Sequence, residues 1–102
     1  MATAIALYNA PTDPEVFDSY YASTHIPLAK TIPGLRSYRV SRGPVLTPSG
    51  PADYHLVAVL GFDSMSDLEA ALASAEGQTV VADLARFATG GVTVLLFDDE
   101  EA

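Results

Sequence analysis

The chain has 102 residues, a formal net charge of −8 and no cysteine. That length makes one domain with a modest core, and 49% hydrophobic residues against 18% charged exclude a disordered chain. The acidic balance argues against nucleic acid and anionic membrane surfaces as partners, and the missing cysteines exclude disulfides and thiolate chemistry. No apolar run reaches membrane-spanning length. The opening MATAIALYNAP carries no basic leader, so no signal peptide is expected. Both features suit a cytoplasmic protein.

Ala4 to Tyr8 reads as a first strand, apolar on both faces. Asn9 to Asp13 break it. Asp13-Pro14 is a helix start: the carboxylate can cap free amides, and proline is tolerated where no bond needs its missing N–H. Phe17, Tyr20, Tyr21 and Thr24 then fall on one helical face. Pro27 disfavours helix at Ile26, so a kink or stop is expected after His25. A short turn resumes through Leu28, Ala29 and Ile32 before the breaker Pro33-Gly34.

Leu35 to Val45 reads as a second strand, with Arg36, Tyr38, Val40 and Arg42 on one face. Pro44 to Ala52, rich in proline, is a loop. Tyr54 to Phe62 is a third strand: Tyr54, Leu56, Ala58, Leu60 and Phe62 share one face, and His55, Val57 and Val59 the other. Ser64 and Asp67 cap a second helix striped by Met65, Leu68, Ala71 and Leu72. A third helical segment follows Ser74, with Val80, Val81, Leu84 and Phe87 as its buried face, and Gly90-Gly91 ends it. Val92 to Phe97 is the last strand. The domain is expected over residues 1–98, with 99–102 as an acidic tail in water.

The order β-α-β-β-α-β predicts an α+β, ferredoxin-like domain: a four-stranded antiparallel sheet with helices on one face. The first, third and last strands are apolar on both faces, so the second sheet face needs cover. A second copy of the chain is the simplest cover and would make a dimeric α+β barrel, because burying apolar area is favourable by about 25 cal/mol per Å².

One set of residues carries a family likeness. Tyr20-Tyr21, His25-Ile26-Pro27-Leu28, Pro33-Gly34-Leu35 and Tyr38 resemble the signature region of the EthD family. Phe62-Asp63-Ser64, Ala73 to Gly77, Asp83 and Phe87 are similar to its second helical region. The resemblance implies a dimeric α+β barrel and small-molecule chemistry without a tightly bound organic cofactor. Relatives of that fold include methylmuconolactone isomerases, polyketide cyclases and antibiotic-biosynthesis monooxygenases.

His25 is the main catalytic candidate. It follows Tyr21 by four positions, so both can face one cavity, and imidazole suits proton transfer near neutral pH. The resemblance puts a histidine at this place, and isomerase relatives use the matching position in acid–base work. The competing use is a hydrogen bond at the helix end. Tyr38 matches the family's tyrosine and could hold a carbonyl oxygen or orient His25; ordinary core packing competes. Phe17, Tyr20 and Tyr21 could stack on a flat substrate, or simply form core. Arg36, Arg39 and Arg42 could meet an anion, or pair with carboxylates at a sheet edge. His55 has no motif behind it. Two histidines without HxH or HExxH spacing give no metal site, and neither a phosphate loop nor a nucleophile elbow is present. The expected function is a cofactor-independent isomerase, cyclase or monooxygenase acting on a small flat or cyclic metabolite. Its alternative is a small-molecule carrier with the same barrel, and haem on His25 is the one alternative cofactor.

Overall fold

The computed structural model describes all residues, 1–102. β1 spans Ala2–Asn9 and leads to α1, Pro14–Tyr20. The Asp13 carboxylate caps α1 by accepting from the amides of Glu15 (3.1 Å) and Val16 (3.2 Å). The helix does not stop before Pro27. It passes through a π-helical turn, Tyr21–His25, and continues as α2, Ile26–Ala29. The cause is local. A proline ring clashes with the carbonyl four residues back in a regular helix, and the wider turn removes that clash while keeping the chain helical. The amide of Ile26 accordingly bonds the Tyr21 carbonyl, five residues back.

β2 is Ser37–Val40, shorter than the Leu35–Val45 expected from sequence. The amides of Arg36 and Ser41 still bond carbonyls of the neighbouring strand on either side, but Gly43 takes a φ of +72° and turns the chain away. The loop beyond holds a small ladder of its own, β3 (Leu46–Thr47) against β4 (Gly50–Pro51). β5 is Tyr54–Phe62, α3 is Met65–Ala73, α4 is Ala75–Phe87 and β6 is Val92–Asp98. Ser64 caps α3 through the Asp67 amide at 3.1 Å, as the spacing implied. Gly77 lets α4 start against the backbone of Ala71 and Leu72, where a Cβ would not fit.

The four long strands form one antiparallel sheet in the order β2-β5-β1-β6. This is the α+β, ferredoxin-like arrangement, with all helices on one side. Small residues face them: Ala2, Ala4, Ala6 and Ala58 are buried and let the helices sit close. Phe62, Leu68 and Ile32 fill one half of the core; Tyr8, Phe17, Tyr21 and Phe87 fill the other. No helix is long and apolar enough to cross a membrane.

The other sheet face has no cover within the chain. The registers Ile5↔Val59, Leu7↔Val57, Ile5↔Leu95 and Thr3↔Phe97 place these side chains together on it. Leu95 and Phe97 are exposed. β6 is also an edge strand whose helix-side residues Val94 and Leu96 remain exposed.

Two face assignments change. β5 holds a bulge: Tyr8 pairs with Leu56 but Asn9 with Tyr54, so His55 is the extra residue. Bulges re-aim side chains. His55 therefore leaves the face of Val57 and Val59 and meets Phe17 and Asp18 on the helical side. On α4 the buried stripe is Gly77, Val80, Asp83 and Phe87, whereas Val81 is exposed. The stripe is rotated by the docking of His25, which recruits the carboxylate of Asp83 inward.

Candidate functional site

His25 and Tyr21, four positions apart, share the buried face. The π turn that joins them carries Thr24 off that face: Thr24 is exposed and His25 is 3% exposed. Its Nδ1 lies 2.9 Å from Asp83 Oδ2. The second oxygen of Asp83 accepts from the Tyr20 hydroxyl at 2.7 Å, and the Arg86 guanidinium stands 3.9 Å away. Burial pushes the Asp83 carboxyl up, but the bonds from Tyr20 and His25 outweigh it and hold Asp83 below the usual carboxylate value. Burial lowers the affinity of His25 for a second proton, with Asp83 opposing. The pair is thus a neutral imidazole donating Nδ1–H to a carboxylate. Every fully buried side-chain nitrogen or oxygen has a hydrogen-bond partner, and His25 Nε2 has none. Nε2 is therefore the part of the ring that solvent reaches.

Beside this pair stands an aromatic cluster. The His25 ring lies 4.6 Å from Phe87 and 5.3 Å from Tyr21, centroid to centroid. The hydroxyls of Tyr21 and Tyr38 are 2.6 Å apart. Burial raises the pKa of both phenols, and at Tyr21 the bond to Tyr38 raises it further. Tyr8, also raised by burial, packs edge-on against Tyr21 and Phe17. These phenols keep their protons at neutral pH, and within the Tyr21–Tyr38 pair one proton is spent on the mutual bond.

A cavity lies on the helical side, between the α1–π-turn segment, the β2–β5 half of the sheet and the loop that follows β2. Its volume is about 550 Å³, within the range of small-molecule sites. Tyr21, Ile26, Val40 and Leu56 form its apolar wall, and Asp18, His55 and Arg42 its polar part. His55 Nε2 is 2.7 Å from Asp18 Oδ1.

Of His25, Tyr38, Phe17, Tyr20 and Tyr21, the residues singled out in the sequence for catalysis or binding, only Tyr21 lines this cavity. His25 sits behind Tyr21. Tyr38 touches the site through the Tyr21 hydroxyl. Phe17, 2% exposed, is core, stacked on Tyr21 at 5.8 Å. Tyr20 packs on Phe87 and bonds Asp83. Arg36 pairs with Asp63 at 2.9 Å, away from the cavity. No group of three or more His, Cys, Asp or Glu is placed to hold a metal ion. Haem on His25 would need open space beside Nε2, and His25 is not in the wall of the cavity.

Sequence reasoning gave no site role to Asp83, Asp18 or His55. Asp83 left a signal, a carboxylate three after Val80 and four before Phe87 on an apolar stripe. Asp18 and His55 left none, because their meeting depends on the bulge in β5.

A family model described as EthD domain matches residues 9–91. An uncharacterized 11.0 kDa protein in the thcB-thcC intergenic region of Rhodococcus erythropolis is 43% identical over 94 residues, covering 92% of this chain and 90% of that protein. The crystal structure of an ethyl tert-butyl ether D (EthD) family protein from Bacillus halodurans C-125 superposes with a TM-score of 0.89 at 33% identity, covering 98% of this chain and 99% of that one. Two more distant structures share the fold. A dimeric ferredoxin-like protein of unknown function from Thermobifida fusca YX has a TM-score of 0.68 at 18% identity, covering 94% and 88% of the two chains. A mutant of SnoaB, a cofactor-independent oxygenase from Streptomyces nogalater, has a TM-score of 0.67 at 19% identity, covering 99% and 94%.

Proposed function

This chain belongs to the EthD family, and on that footing we propose that it is a homodimeric, cofactor-independent enzyme of the isomerase, cyclase or monooxygenase kind. Its substrate is a small flat or cyclic metabolite held in the cavity beside Tyr21. The His25–Asp83 pair is the observation that carries this. A carboxylate that takes Nδ1–H fixes the tautomer and leaves the lone pair on Nε2. Such an imidazole accepts a proton from carbon or oxygen next to a carbonyl and returns it elsewhere, which isomerises or cyclises without redox change. One hydroxyl of the Tyr21–Tyr38 pair spends its proton on the other, which leaves the second to donate to the oxygen where charge develops. Tyr21 both lines the cavity and packs on His25, so its ring must swing aside for substrate to meet Nε2. A fold neighbour that is a cofactor-independent oxygenase is the reason the monooxygenase kind stays within the proposal.

The homodimer is supported by the uncovered apolar sheet face and by the dimeric neighbour. The absence of cysteine suits the cytoplasm, where thiols gain nothing as cross-links. His25→Ala in the intact dimer tests the catalytic assignment against candidate cyclic ketones and lactones. Loss of turnover with the dimer retained is the expected result; unchanged turnover overturns it.

One observation favours a second role, binding without turnover: His25 lies outside the cavity wall. A carrier would be stabilised by ligand while mass analysis of the incubated ligand shows no product.

A further inference from the structure

We propose that the cavity selects planar organic acids, with Arg42 receiving the carboxylate and the Tyr21–Leu56 side receiving the ring. The proposal rests on the cavity reading above and adds the charge of the ligand.

The chain has thirteen carboxylate side chains and five Lys or Arg. Arg36 and Arg86 stand within ion-pair distance of a carboxylate, and Lys30, Arg39 and Arg42 do not; of these three only Arg42 lines the cavity. Gly43, at a φ of +72°, fixes the turn directly after it. A guanidinium on a short turn at a cavity wall presents a flat, two-pronged donor that matches a carboxylate.

His55 engages the one carboxylate of the wall. The bulge in β5 aims it into the cavity side of the sheet, and its Nε2 lies 2.7 Å from Asp18 Oδ1. Asp18 thus has a partner of its own, whereas Arg42, the one Lys or Arg of the wall, has none. Two rings and three aliphatic side chains, Tyr21, Tyr54, Ile26, Val40 and Leu56, supply apolar wall beside it. Aromatic and aliphatic walls with one charged end select a planar ring bearing one carboxylate.

The test titrates benzoate and its neutral counterpart benzamide into the ¹⁵N-labelled full-length protein and follows amide shifts of Ala22, Val40 and Leu56. Benzoate is expected to shift all three and to bind about tenfold more tightly than benzamide, a discrimination of about 1.4 kcal/mol. Arg42→Gln, at an exposed position without a partner, should keep the fold and abolish the preference; Arg42→Lys should restore part of it, and Lys30→Gln should leave the preference intact. Equal binding of the two probes at these amides overturns the anion assignment while leaving the cavity as a ligand site. Absence of shifts from both probes overturns both. A preference that survives in Arg42→Gln contradicts the role of that residue.

Discussion

Asp83 Oδ2 lies 2.9 Å from His25 Nδ1, across 58 residues of sequence and between two helical segments. Both groups are almost fully buried, and the carboxylate also receives the Tyr20 hydroxyl. The pair ties the π turn to α4 and sets the tautomer of the imidazole. Asp83→Asn should turn two charge-assisted bonds into neutral ones and force His25 into the other tautomer, and should cost about 1 kcal/mol of stability. Urea unfolding reads this as a lower midpoint with an unchanged slope. A midpoint equal to that of the parent protein would contradict the pairing.

Acid should act on His25 before it acts on Asp83. Burial holds the folded imidazole below the 6.5 of a free histidine, so the unfolded chain binds that proton more readily. The stability tied to His25 is therefore complete above pH 6.5 and declines as the pH falls below it. For Asp83, burial is outweighed by the bonds from Tyr20 and His25, and the folded group lies below 3.8. Its contribution persists above 3.8 and is lost as the pH falls through that lower folded value. Thermal melts across this range should show the upper part of the decline flattened in His25→Gln.

The Tyr21 and Tyr38 hydroxyls, 2.6 Å apart, should be energetically coupled. Tyr21→Phe and Tyr38→Phe should each destabilise by about 1 kcal/mol, and the double variant should cost less than their sum. Strict additivity in the cycle would show that the bond does not form in solution.

The open sheet face should govern assembly. Leu95 sits at 47% exposure beside Ile5 on that face. Leu95→Asp should convert a dimer into a folded monomer in light scattering, with far-UV circular dichroism unchanged. A monomeric parent protein at the same concentration would remove the homodimer from the account.

The fold was legible because its signals are local. Alternating apolar residues, the Asp13 cap, the Ser64 cap and the breakers at Pro33-Gly34 and Gly90-Gly91 each place an element boundary without reference to the rest of the chain. The site was legible only in part. His25 and Tyr21 stand out by residue type and by a four-residue spacing that puts them on one face; Thr24, which a period of 3.6 puts there too, is exposed because the π turn widens the helix at that point. His55 was put on the wrong sheet face because a one-residue bulge inverts alternation, and nothing in β5 marks it. Val81 was put in the core for a related reason: hydrophobicity alone ranks it above Asp83, and only the facing imidazole makes a buried carboxylate stable.

The central claim is that the cavity beside Tyr21 holds a small molecule. Its most direct test is a crystal structure of protein purified without added ligand. The account predicts density for a small planar compound between Tyr21 and Arg42. A cavity filled by the side chains of the loop after β2, with no space left against Tyr21, would contradict it.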